Sequence, residues 1–444
     1  MPPASSETLA REIIATLKAA GFQAFLVGGC VRDLLLGRIP EDYDVSTDAT
    51  PDQVLQLFPK AQMVGAKFGV VLVARGTAAV EVATFRSDGV YTDGRHPEKV
   101  AFERAPDKDV QRRDFTINGM MMDPVSGDVI DLAGGQADLA ARTIRAIGDP
   151  KRRFEEDHLR MLRAVRFAAR LNFTIEAETF SAIRELRKEI QDISPERIRD
   201  ELVRILTEGG ARRGFEWMDE TGLLQEILPE ISAMKGVEQP PQYHPEGDVW
   251  THTLIMLEGL QPGGGTPLTP ELALGVLLHD VGKPSTFRVT DRIRFDGHVE
   301  AGVLLTHQIL TRLRFSHDQI RQVEALVANH MRFMHISQMR ESTLKRFFRL
   351  DRFEEHLELH RLDCTSSHRS LRSYDFARES FSATPPEDRK PQRLLSGYDL
   401  IREGYTPGPE FSRLLEAAED AQLEGRVTTR EEALKFVRLL AGRE

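Results

Sequence analysis

The chain has 444 residues, a formal net charge of −10, 41% hydrophobic residues and 29% charged residues. This composition is typical of a globular protein of two to four domains and argues against a surface that is basic throughout. No apolar run of about 18 residues occurs and residues 1–10 lack a signal-peptide core, so we expect no membrane span and a cytoplasmic location. The two cysteines, Cys30 and Cys364, indicate no disulfide framework and fit a reducing compartment.

Signals for helices and strands alternate over the first 140 residues and predict a mixed α/β unit. An amphipathic helix is predicted for residues 7–20, ending at Gly21, and a buried strand for residues 23–27. The further predicted elements are a helix over 31–36, a strand over 42–45, a helix over 51–58 capped by Thr50, and strands over 69–74 and 79–85.

From about Ile144 the pattern becomes helical, with a helix start at Ser194-Pro195 and a stop at Gly209-Gly210. Proline-rich stretches at 239–241 and 384–386 indicate boundaries. We therefore predict an α+β chain whose mixed α/β head is followed by helical domains. The predicted domains are a head (1–141), a helical neck and body (142–238), a histidine-rich helical domain (239–368) and a C-terminal helical extension (369–444).

Two aspartates, Asp42 and Asp44, come after a Gly-Gly-x-x-Arg-Asp stretch at 28–33. Side chains alternate along a strand, so both carboxylates point to the same side, and Glu81 in a neighbouring strand is placed to add a third. Such oxygens bind Mg²⁺, and a Gly-Gly turn lets the backbone approach a polyphosphate. A lone Asp-x-Asp is usually a solvated turn. The order and spacing of these motifs, together with arginine-rich segments further along the chain, favour metal-assisted nucleotidyl transfer.

Arginines suited to phosphate and base contacts occur in two places. Arg112-Arg113 precede one predicted element. Asp157 lies one turn ahead of four arginines that share one helical face, opposite an apolar stripe: Arg160, Arg163, Arg166 and Arg170. The alternative is a solvated basic face. An Asp acceptor beside an Arg donor fits the Watson–Crick edge of cytosine or adenine and rejects guanine or uracil.

Together these stretches resemble the bacterial class II tRNA nucleotidyltransferases, the family of CCA-adding enzymes and poly(A) polymerases. The resemblance covers about residues 20–235 and rests on segments 26–33, 42–44, 112–118 and 156–160. It implies that C, C and A are added to tRNA 3′ ends from CTP and ATP without a nucleic-acid template, releasing pyrophosphate. Gly119 departs from the pattern, since many relatives carry alanine there.

The resemblance also implies roles for individual residues. Asp42 and Asp44 would be catalytic and bind two Mg²⁺ ions, one activating the RNA 3′-hydroxyl and one stabilising the pyrophosphate. Gly29 and Arg32 would hold the triphosphate, and Arg113 would contact the nucleotide near its ribose. The base template would be Asp157 and Arg160, supported by Arg163 and Arg166.

Segments 63–70 and 88–97 resemble the CCA-adding pattern and favour complete C-C-A addition. An A-adding enzyme, a CC-adding enzyme and a poly(A) polymerase stay open as alternatives. A different class of function is a metal phosphohydrolase whose N-terminal half only binds RNA, but such a protein has no need of Asp42 and Asp44. The sequence leaves monomer and homodimer open.

Eleven of the thirteen histidines lie between His244 and His368. Imidazole and carboxylate groups together suit a divalent metal, and the stretch 245–365 resembles an HD-domain metal phosphohydrolase. This resemblance implies one metal held by His252, His279, Asp280 and Asp363, with His298 and His330 completing a second site. The metal is unknown. Hydrolysis of 2′,3′-cyclic phosphates or phosphomonoesters is one hypothesis, and an inactive scaffold is the other. For the extension after residue 369, we expect tRNA contact or dimerisation.

Overall fold

The computed structural model describes residues 5–64, 69–89, 100–263 and 266–442. The chain divides into two compact units, Met1–Ser232 and Ala233–Glu444. This division lies close to the predicted boundary at 239–241, and the finer division into four domains stays a prediction. Parts of the segments used to favour C-C-A addition, 65–68 and 90–97, lie outside the described residues. No helix among the described residues has the length and apolar character needed to cross a membrane.

Strands and helices of the first unit give it the predicted mixed α/β start and helical continuation. The strands are β1 (Ala24–Val27), β2 (Asp44–Thr47), β3 (Gln62–Met63), β4 (Val70–Arg75), β5 (Ala78–Thr84), β6 (Arg86–Asp88), β7 (Val100–Phe102), β8 (Met121–Met122), β9 (Val129–Ile130), β10 (Thr143–Ile144) and β11 (Thr174–Ile175). The helices are α1 (Ser6–Ala19), α2 (Gly29–Leu35), α3 (Pro51–Leu57), α4 (Pro106–Gln111), α5 (Gly135–Ala140), α6 (Pro150–Glu156), α7 (Leu159–Leu171), α8 (Ala177–Leu186), α9 (Pro195–Thr207), α10 (Ala211–Thr221), α11 (Leu223–Ile227) and α12 (Pro229–Ser232), with 3₁₀ helices at Thr116–Asn118 and Arg187–Asp192.

One mixed sheet organises the head. Within the described residues its strand order is β3-β4-β5-β2-β1-β8-β9, and β6 pairs with β7 beside it. Strand β2 runs parallel to β5 and antiparallel to β1, so it lies near the middle of the sheet. Because both faces of a central strand are covered, Val45 and its neighbour Val82 are buried. The sheet thus fixes the position of the residue at the start of β2, which is Asp44.

The predicted α+β class is confirmed, and most elements of the head begin and end within a few residues of their predicted bounds. Thr50 caps α3 through a capping box with Gln53, as its sequence predicts. The predicted strand over 42–45 begins only at Asp44, so Asp42 precedes the strand. The helical pattern predicted from about Ile144 is interrupted near its start, because β10 and β11, both Thr-Ile pairs, form a short parallel ladder.

Helices dominate the second unit. They are α13 (Val249–Glu258), α14 (Pro270–Leu278), α15 (Lys283–Thr286), α16 (His298–Arg312), α17 (His317–Asn329), α18 (Glu341–Phe347), α19 (Phe353–Ser366), α20 (Arg372–Ala383), α21 (Pro386–Arg389), α22 (Gly397–Arg402), α23 (Pro409–Leu423) and α24 (Arg430–Leu440), with strands β12 (Arg288–Val289) and β13 (Ile293–Arg294) and a 3₁₀ helix at His330–Gln338. Helix α14 is buried from Glu271 to Leu278, as expected for a helix that is apolar on all sides. Its C-terminus delivers His279 and Asp280 into the interior.

Candidate functional site

Three carboxylates meet at the start of β2. Asp42 is exposed and Asp44 is partly buried. The parallel register pairs Asp44 with Glu81 of β5, so the third carboxylate lies where the sequence predicts it. Burial and the neighbouring charges of Glu81 and Asp42 raise the pKa of Asp44 to about 6, against the opposing effect of Arg113. An acidic cluster whose charges repel in this way gains most from a bound cation.

That raised pKa gives a prediction for stability. Above about pH 6 the ionised Asp44 costs folding free energy, because its carboxyl binds a proton more readily in the folded chain than in the unfolded one. We therefore expect Asp44→Asn to stabilise the metal-free protein at pH 7, by on the order of 1–3 kcal/mol. The gain should shrink as the pH falls through 6 towards 4, where wild-type Asp44 becomes protonated.

Thermal unfolding in a chelator between pH 4 and pH 8 measures this effect. The matched control is Asp52→Asn, the same substitution at an exposed position in the first turn of α3. Equal stability of wild type and Asp44→Asn at pH 7 would show that the carboxylates do not repel one another as described.

Beside these carboxylates, the Gly-Gly turn joins β1 to α2. Gly28 has φ of +73°, and a Cβ there would lie 3.2 Å from Arg113 Nη1, so only glycine fits. Arg32 is buried and donates to Asp33 and, through Nη1, to Asn118 Oδ1 at 2.8 Å. Three of its five N–H groups are used, which leaves two for a ligand.

A single buried carboxylate, Asp109, holds both arginines of the Arg112-Arg113 pair. Asp109 Oδ1 accepts from Arg112 Nη2 at 2.7 Å, and Oδ2 accepts from Arg113 Nη2 at 3.0 Å. Burial alone would raise the pKa of Asp109, but the guanidinium groups of Arg113 and Arg112 hold it below its ordinary value. The carboxylate is therefore ionised, and both guanidinium groups are fixed from behind.

The predicted base-reading pair is held by partners that the sequence did not indicate. Asp157 Oδ2 accepts from Arg197 Nη2 at 2.7 Å. Arg160 donates through Nη1 to Glu156 at 2.7 Å and to the carbonyl of Arg153 at 2.9 Å. Asp157 and Arg160 are thus each fixed from the side, and each keeps hydrogen-bonding capacity for a ligand between them.

Two further arginines of α7, Arg163 and Arg166, are bound by carboxylates, unlike those of a solvated basic face. Arg163 Nη2 donates to Asp114 Oδ2 at 2.6 Å. Arg166 is buried and bound to Glu201 at 2.7 Å, and its guanidinium lies 4.5 Å from the ring centre of Phe167. Both positions fit a supporting role behind Asp157 and Arg160 better than direct contact with solvent.

One cleft of about 460 Å³, here called the nucleotide cleft, joins Asp44 to the base-reading pair, whereas Asp42 and Glu81 are outside its lining. Its lining comprises Gly28, Gly29, Arg32, Asp44, Arg112, Arg113, Asp114, Asn118, Asp157, Leu159, Arg160, Arg163, Phe167 and Arg197. Of the predicted nucleotide-binding residues, Arg166 alone is outside this lining in the described part of the chain. Arg197 is the main residue that sequence reasoning missed, because its contact with Asp157 spans 40 residues.

The histidines of the second unit converge on Asp280. His279 Nε2 lies 3.1 Å from Asp280 Oδ2, and His298 and His330 approach Oδ1 at 3.9 and 3.8 Å. His252 Nε2 lies 3.3 Å from Asp363 Oδ1. Two ligand groups meet at this aspartate, His252–His279–Asp280 and Asp280–His298–His330. The structure therefore brings all six predicted ligands together, with Asp280 shared between the two groups.

The imidazole rings of this cluster are oriented for metal binding. Each Nδ1 is held by an oxygen, namely Glu246 for His252, Val276 for His279, Phe295 for His298 and Val327 for His330. The four Nε2 atoms are buried and make no hydrogen bond to any described residue, although those of His279 and His252 lie 3.1 and 3.3 Å from carboxylate oxygens. Orphaned ring nitrogens aimed at carboxylates fit a metal centre, because hydrogen bonds at Nδ1 fix the tautomer that binds metal through Nε2.

Charge at the cluster also fits a cation. Although burial opposes ionisation, His279 and Lys283 hold the pKa of Asp280 well below its ordinary value. Lys283 Nζ lies 2.6 Å from Asp280 Oδ2 and also donates to Gln239. The cluster opens to a cavity of about 300 Å³ whose rim carries the exposed side chains of Tyr243 and Met334.

Comparisons with known families give the chain its class. Residues 24–145 match the poly A polymerase head domain, and residues 172–235 match the "Probable RNA and SrmB- binding site of polymerase A". Residues 303–437 match tRNA nucleotidyltransferase domain 2. The first unit therefore carries a head domain of the poly A polymerase type. Together these matches make the chain similar to the class II tRNA nucleotidyltransferases, the family that its sequence resembles.

Curated relatives and solved structures agree with this placement. The chain is 41% identical over 254 residues to the CCA-adding enzyme of Lactobacillus helveticus, and 46% identical over 211 residues to that of a Geobacillus species. These matches cover 56% and 48% of this chain but only 63% and 52% of the relatives' own lengths.

Two solved structures match almost the whole chain. The CCA-adding enzyme of Bacillus stearothermophilus in complex with CTP has 26% identity and a TM-score of 0.73, covering 99% of both chains. That of Thermotoga maritima complexed with tRNA has 21% identity and a TM-score of 0.61, covering 98% of this chain and 95% of that one. The second likeness is one of fold.

Proposed function

We propose that this protein adds C, C and A to tRNA 3′ ends from CTP and ATP, without a nucleic-acid template and with release of pyrophosphate. The observation that carries the proposal is the nucleotide cleft, in which Asp44 and the pair Asp157 and Arg160 line one cavity. A pure RNA-binding module needs no carboxylate cluster beside a base-reading pair. The Bacillus stearothermophilus neighbour, solved with CTP, supports the same activity.

Base choice depends on the two sides of the cleft. Cytosine and adenine each present an amino donor beside a ring-nitrogen acceptor, so the amino group donates to Asp157 and the ring nitrogen accepts from Arg160. Guanine and uracil place an acceptor against Asp157 and a donor against Arg160, and neither hydrogen bond forms. Arg197 keeps the Asp157 carboxylate in one orientation. Arg163 and Arg166 support the helix that carries Arg160.

Phosphate and sugar contacts come from the head. Arg32 has two N–H groups left for the triphosphate, and the Gly28-Gly29 backbone can approach it closely because no side chain intervenes. Arg113, fixed by Asp109, lies beside Gly28 and contacts the nucleotide near its ribose. These groups place the reacting phosphate next to Asp44.

The donor set of Asp42, Asp44 and Glu81 fits Mg²⁺, which prefers carboxylate and phosphate oxygens. Two bound ions would activate the RNA 3′-hydroxyl and stabilise the leaving pyrophosphate. Asp44 serves as a ligand only when ionised, so its raised pKa makes metal affinity fall below about pH 6.

A direct assay incubates the protein with tRNA lacking its CCA end, Mg²⁺, and CTP or ATP, separately and together. Addition of C, C and A with both nucleotides supports the proposal, and no extension under any condition contradicts it. Extension by A alone, only on tRNA ending in CC, would reassign the activity to A-addition, and stopping at CC would reassign it to CC-addition. Long A-tails would indicate a poly(A) polymerase.

The macromolecular partner is tRNA. Because every tRNA receives the same end, the protein recognises the shape and the phosphates of the tRNA. The affinity for tRNA should therefore fall as the salt concentration rises. We assign catalysis to the head (1–141), base choice and tRNA contact to the neck and body (142–238), and tRNA contact or dimerisation to the extension (369–444). The working compartment is the cytoplasm, where tRNA is processed. Monomer and homodimer are both compatible with this function.

A second function is favoured by the cluster around Asp280. We propose that residues 239–368 form an HD-type metal centre that hydrolyses phosphomonoesters or 2′,3′-cyclic phosphates, an activity suited to repair of tRNA ends. Its four orphaned Nε2 atoms are the supporting observation. His252, His279, Asp280 and Asp363 would hold one divalent metal, and His298 and His330 would complete a second site that shares Asp280.

Replacing His279 and Asp280 together by alanine should remove bound metal and abolish phosphatase activity, while C-C-A addition continues. Elemental analysis of the purified protein measures the metal, and release of phosphate from nucleoside 2′,3′-cyclic phosphates or monophosphates measures the activity. The matched control is His307→Ala with Asp318→Ala, since both side chains are exposed residues of the same unit. A wild-type protein that binds metal but hydrolyses neither substrate would indicate that the metal centre has a structural role.

A further inference from the structure

A second cleft lies on the other side of the base-reading arginine. This basic cleft, of about 500 Å³, is lined by Ser87, Lys108, Gln111, Arg112, Ile147, Gly148, Asp149, Arg152, Arg153 and Glu156. It lies between α4 and α6, and Arg112 lines both it and the nucleotide cleft. None of the roles proposed above uses it.

Charge in the basic cleft is unbalanced. Both of its carboxylates are engaged: Glu156 binds Arg153 and Arg160, and Asp149 caps α6 by accepting from the backbone N–H of Lys151 at 2.9 Å. Lys108, in contrast, is exposed and makes no ion pair with any described residue. The Arg152 side chain is 82% exposed, and its nearest carboxylate oxygen, on Glu156, is 4.0 Å away. Lys108 thus has no carboxylate partner among the described residues and Arg152 has only a distant one, so both cations are available to an anion.

The nucleotide already placed in the first cleft does not supply that anion. Arg160 separates the two clefts, since its guanidinium donates to the carbonyls of Arg153 at 2.9 Å and of Arg112 at 3.3 Å. Arg32 and Asp44, to which the proposed function assigns the triphosphate and the chemistry, line the nucleotide cleft and not the basic cleft.

The lining also excludes a separate site for a free nucleotide. Ile147 is its one apolar side chain among the described residues, and no aromatic ring is present for a base to stack on. Backbone phosphates need neither, and contacts to phosphate carry no sequence information, as binding of every tRNA requires.

We infer that the basic cleft binds backbone phosphates of the single-stranded 3′ end of the RNA substrate, with Lys108 and Arg152 as the principal contacts. The inference rests on the proposed function for the identity of the RNA. Through Arg112, which lines both clefts, this contact sets the strand beside the incoming nucleotide.

The test compares wild type, Lys108→Ala with Arg152→Ala, and the matched control Lys60→Ala with Arg75→Ala. Lys60 and Arg75 are exposed residues of the same unit, and Arg75 makes only a surface ion pair with Glu12. Binding of labelled tRNA lacking its CCA end is measured by fluorescence anisotropy at several salt concentrations, without nucleotides. We expect the Kd of the cleft variant to rise about tenfold, with a salt slope smaller by about 1.4, since each single-strand phosphate contact contributes about 0.7.

Kinetics separate the possible anions. The KM for CTP and inhibition by inorganic pyrophosphate should match wild type in the cleft variant. A higher KM for CTP or weaker pyrophosphate inhibition, with unchanged RNA affinity, would assign the cleft to a small polyphosphate and overturn the inference. An RNA affinity of the cleft variant equal to that of the control variant would also overturn it. RNA binding is measured without nucleotides and does not require catalysis. A wild-type protein that binds tRNA but adds no nucleotide would therefore contradict the proposed function and leave this inference intact.

Discussion

Asp44→Asn should lower kcat/KM for C and A addition by about 10³-fold, equivalent to about 4 kcal/mol of transition-state stabilisation. The amide cannot supply the negative charge that would hold a metal ion, and without that ion the charge of the leaving pyrophosphate would not be neutralised. Binding of CTP should fall much less, because Arg32, Arg113 and the base-reading pair are untouched. The expected signature is therefore a loss in kcat with a small change in KM.

The stability measurement separates this loss of activity from a loss of folding, because Asp44→Asn should unfold at a higher temperature than wild type at pH 7. A variant that is inactive and more stable identifies a residue kept for function at a cost in folding free energy. Asp52→Asn, exposed on α3, should retain wild-type rates. Rates within tenfold of wild type for Asp44→Asn would remove this residue from the chemistry.

Asp157→Ala should lower the preference for CTP and ATP over UTP and GTP by about 10²-fold. Discrimination depends on leaving a buried polar group unpaired when the wrong base binds, and the variant has no such group on that side of the cleft. Metal binding at Asp42 and Asp44 should persist. The change is measured by single-turnover addition with each of the four nucleotides, on tRNA that lacks its CCA end and on tRNA that ends in CC.

Glu155→Ala is the matched control, because it removes an exposed carboxylate two residues earlier on α6. Arg197→Ala should give an intermediate loss of selectivity, since Asp157 stays but loses the guanidinium that orients it, and Arg197→Lys should restore part of it. Unchanged nucleotide choice in Asp157→Ala would contradict the base-reading role. An equal fall in the rate of addition of all four nucleotides would indicate that Asp157 is needed for the folding of α7 instead.

Local signals predicted much of the fold. The Asp-x-Asp pair, the Gly-Gly turn and the arginine spacing of α7 depend on residues close together in sequence. Their patterns can therefore be recognised from the amino-acid sequence alone. Alternation in β5 even indicated Glu81, because the position of an acid in a strand is set by its period of two. The start of β2 at Asp44 and the short β10–β11 ladder were missed, because both depend on pairing with distant strands.

The partners of the candidate site were largely not predictable. Arg197 and Asp114 reach Asp157 and Arg163 by contacts that span 40 and 49 residues, so no local period marks them. Asp109 is different, because it lies at the local helical spacing of three and four residues before Arg112 and Arg113. The helical face of α7 predicted a stripe of arginines correctly but not its burial. In the second unit the ligand set was predicted from a resemblance, whereas the sharing of Asp280 between two groups of ligands needed coordinates.

Asp109 has a consequence for how the two clefts communicate. One carboxylate fixes Arg113, which faces the nucleotide, and Arg112, which also faces the basic cleft. Displacing either guanidinium shifts the charge balance on the other, so the affinities for RNA and for nucleotide are thermodynamically linked through this side chain. Effects of substitutions at Arg112 and Arg113 should therefore not add. A strand bound in the basic cleft would therefore change the affinity of the nucleotide cleft for its ligand, and the nucleotide would change the affinity for the strand by the same factor.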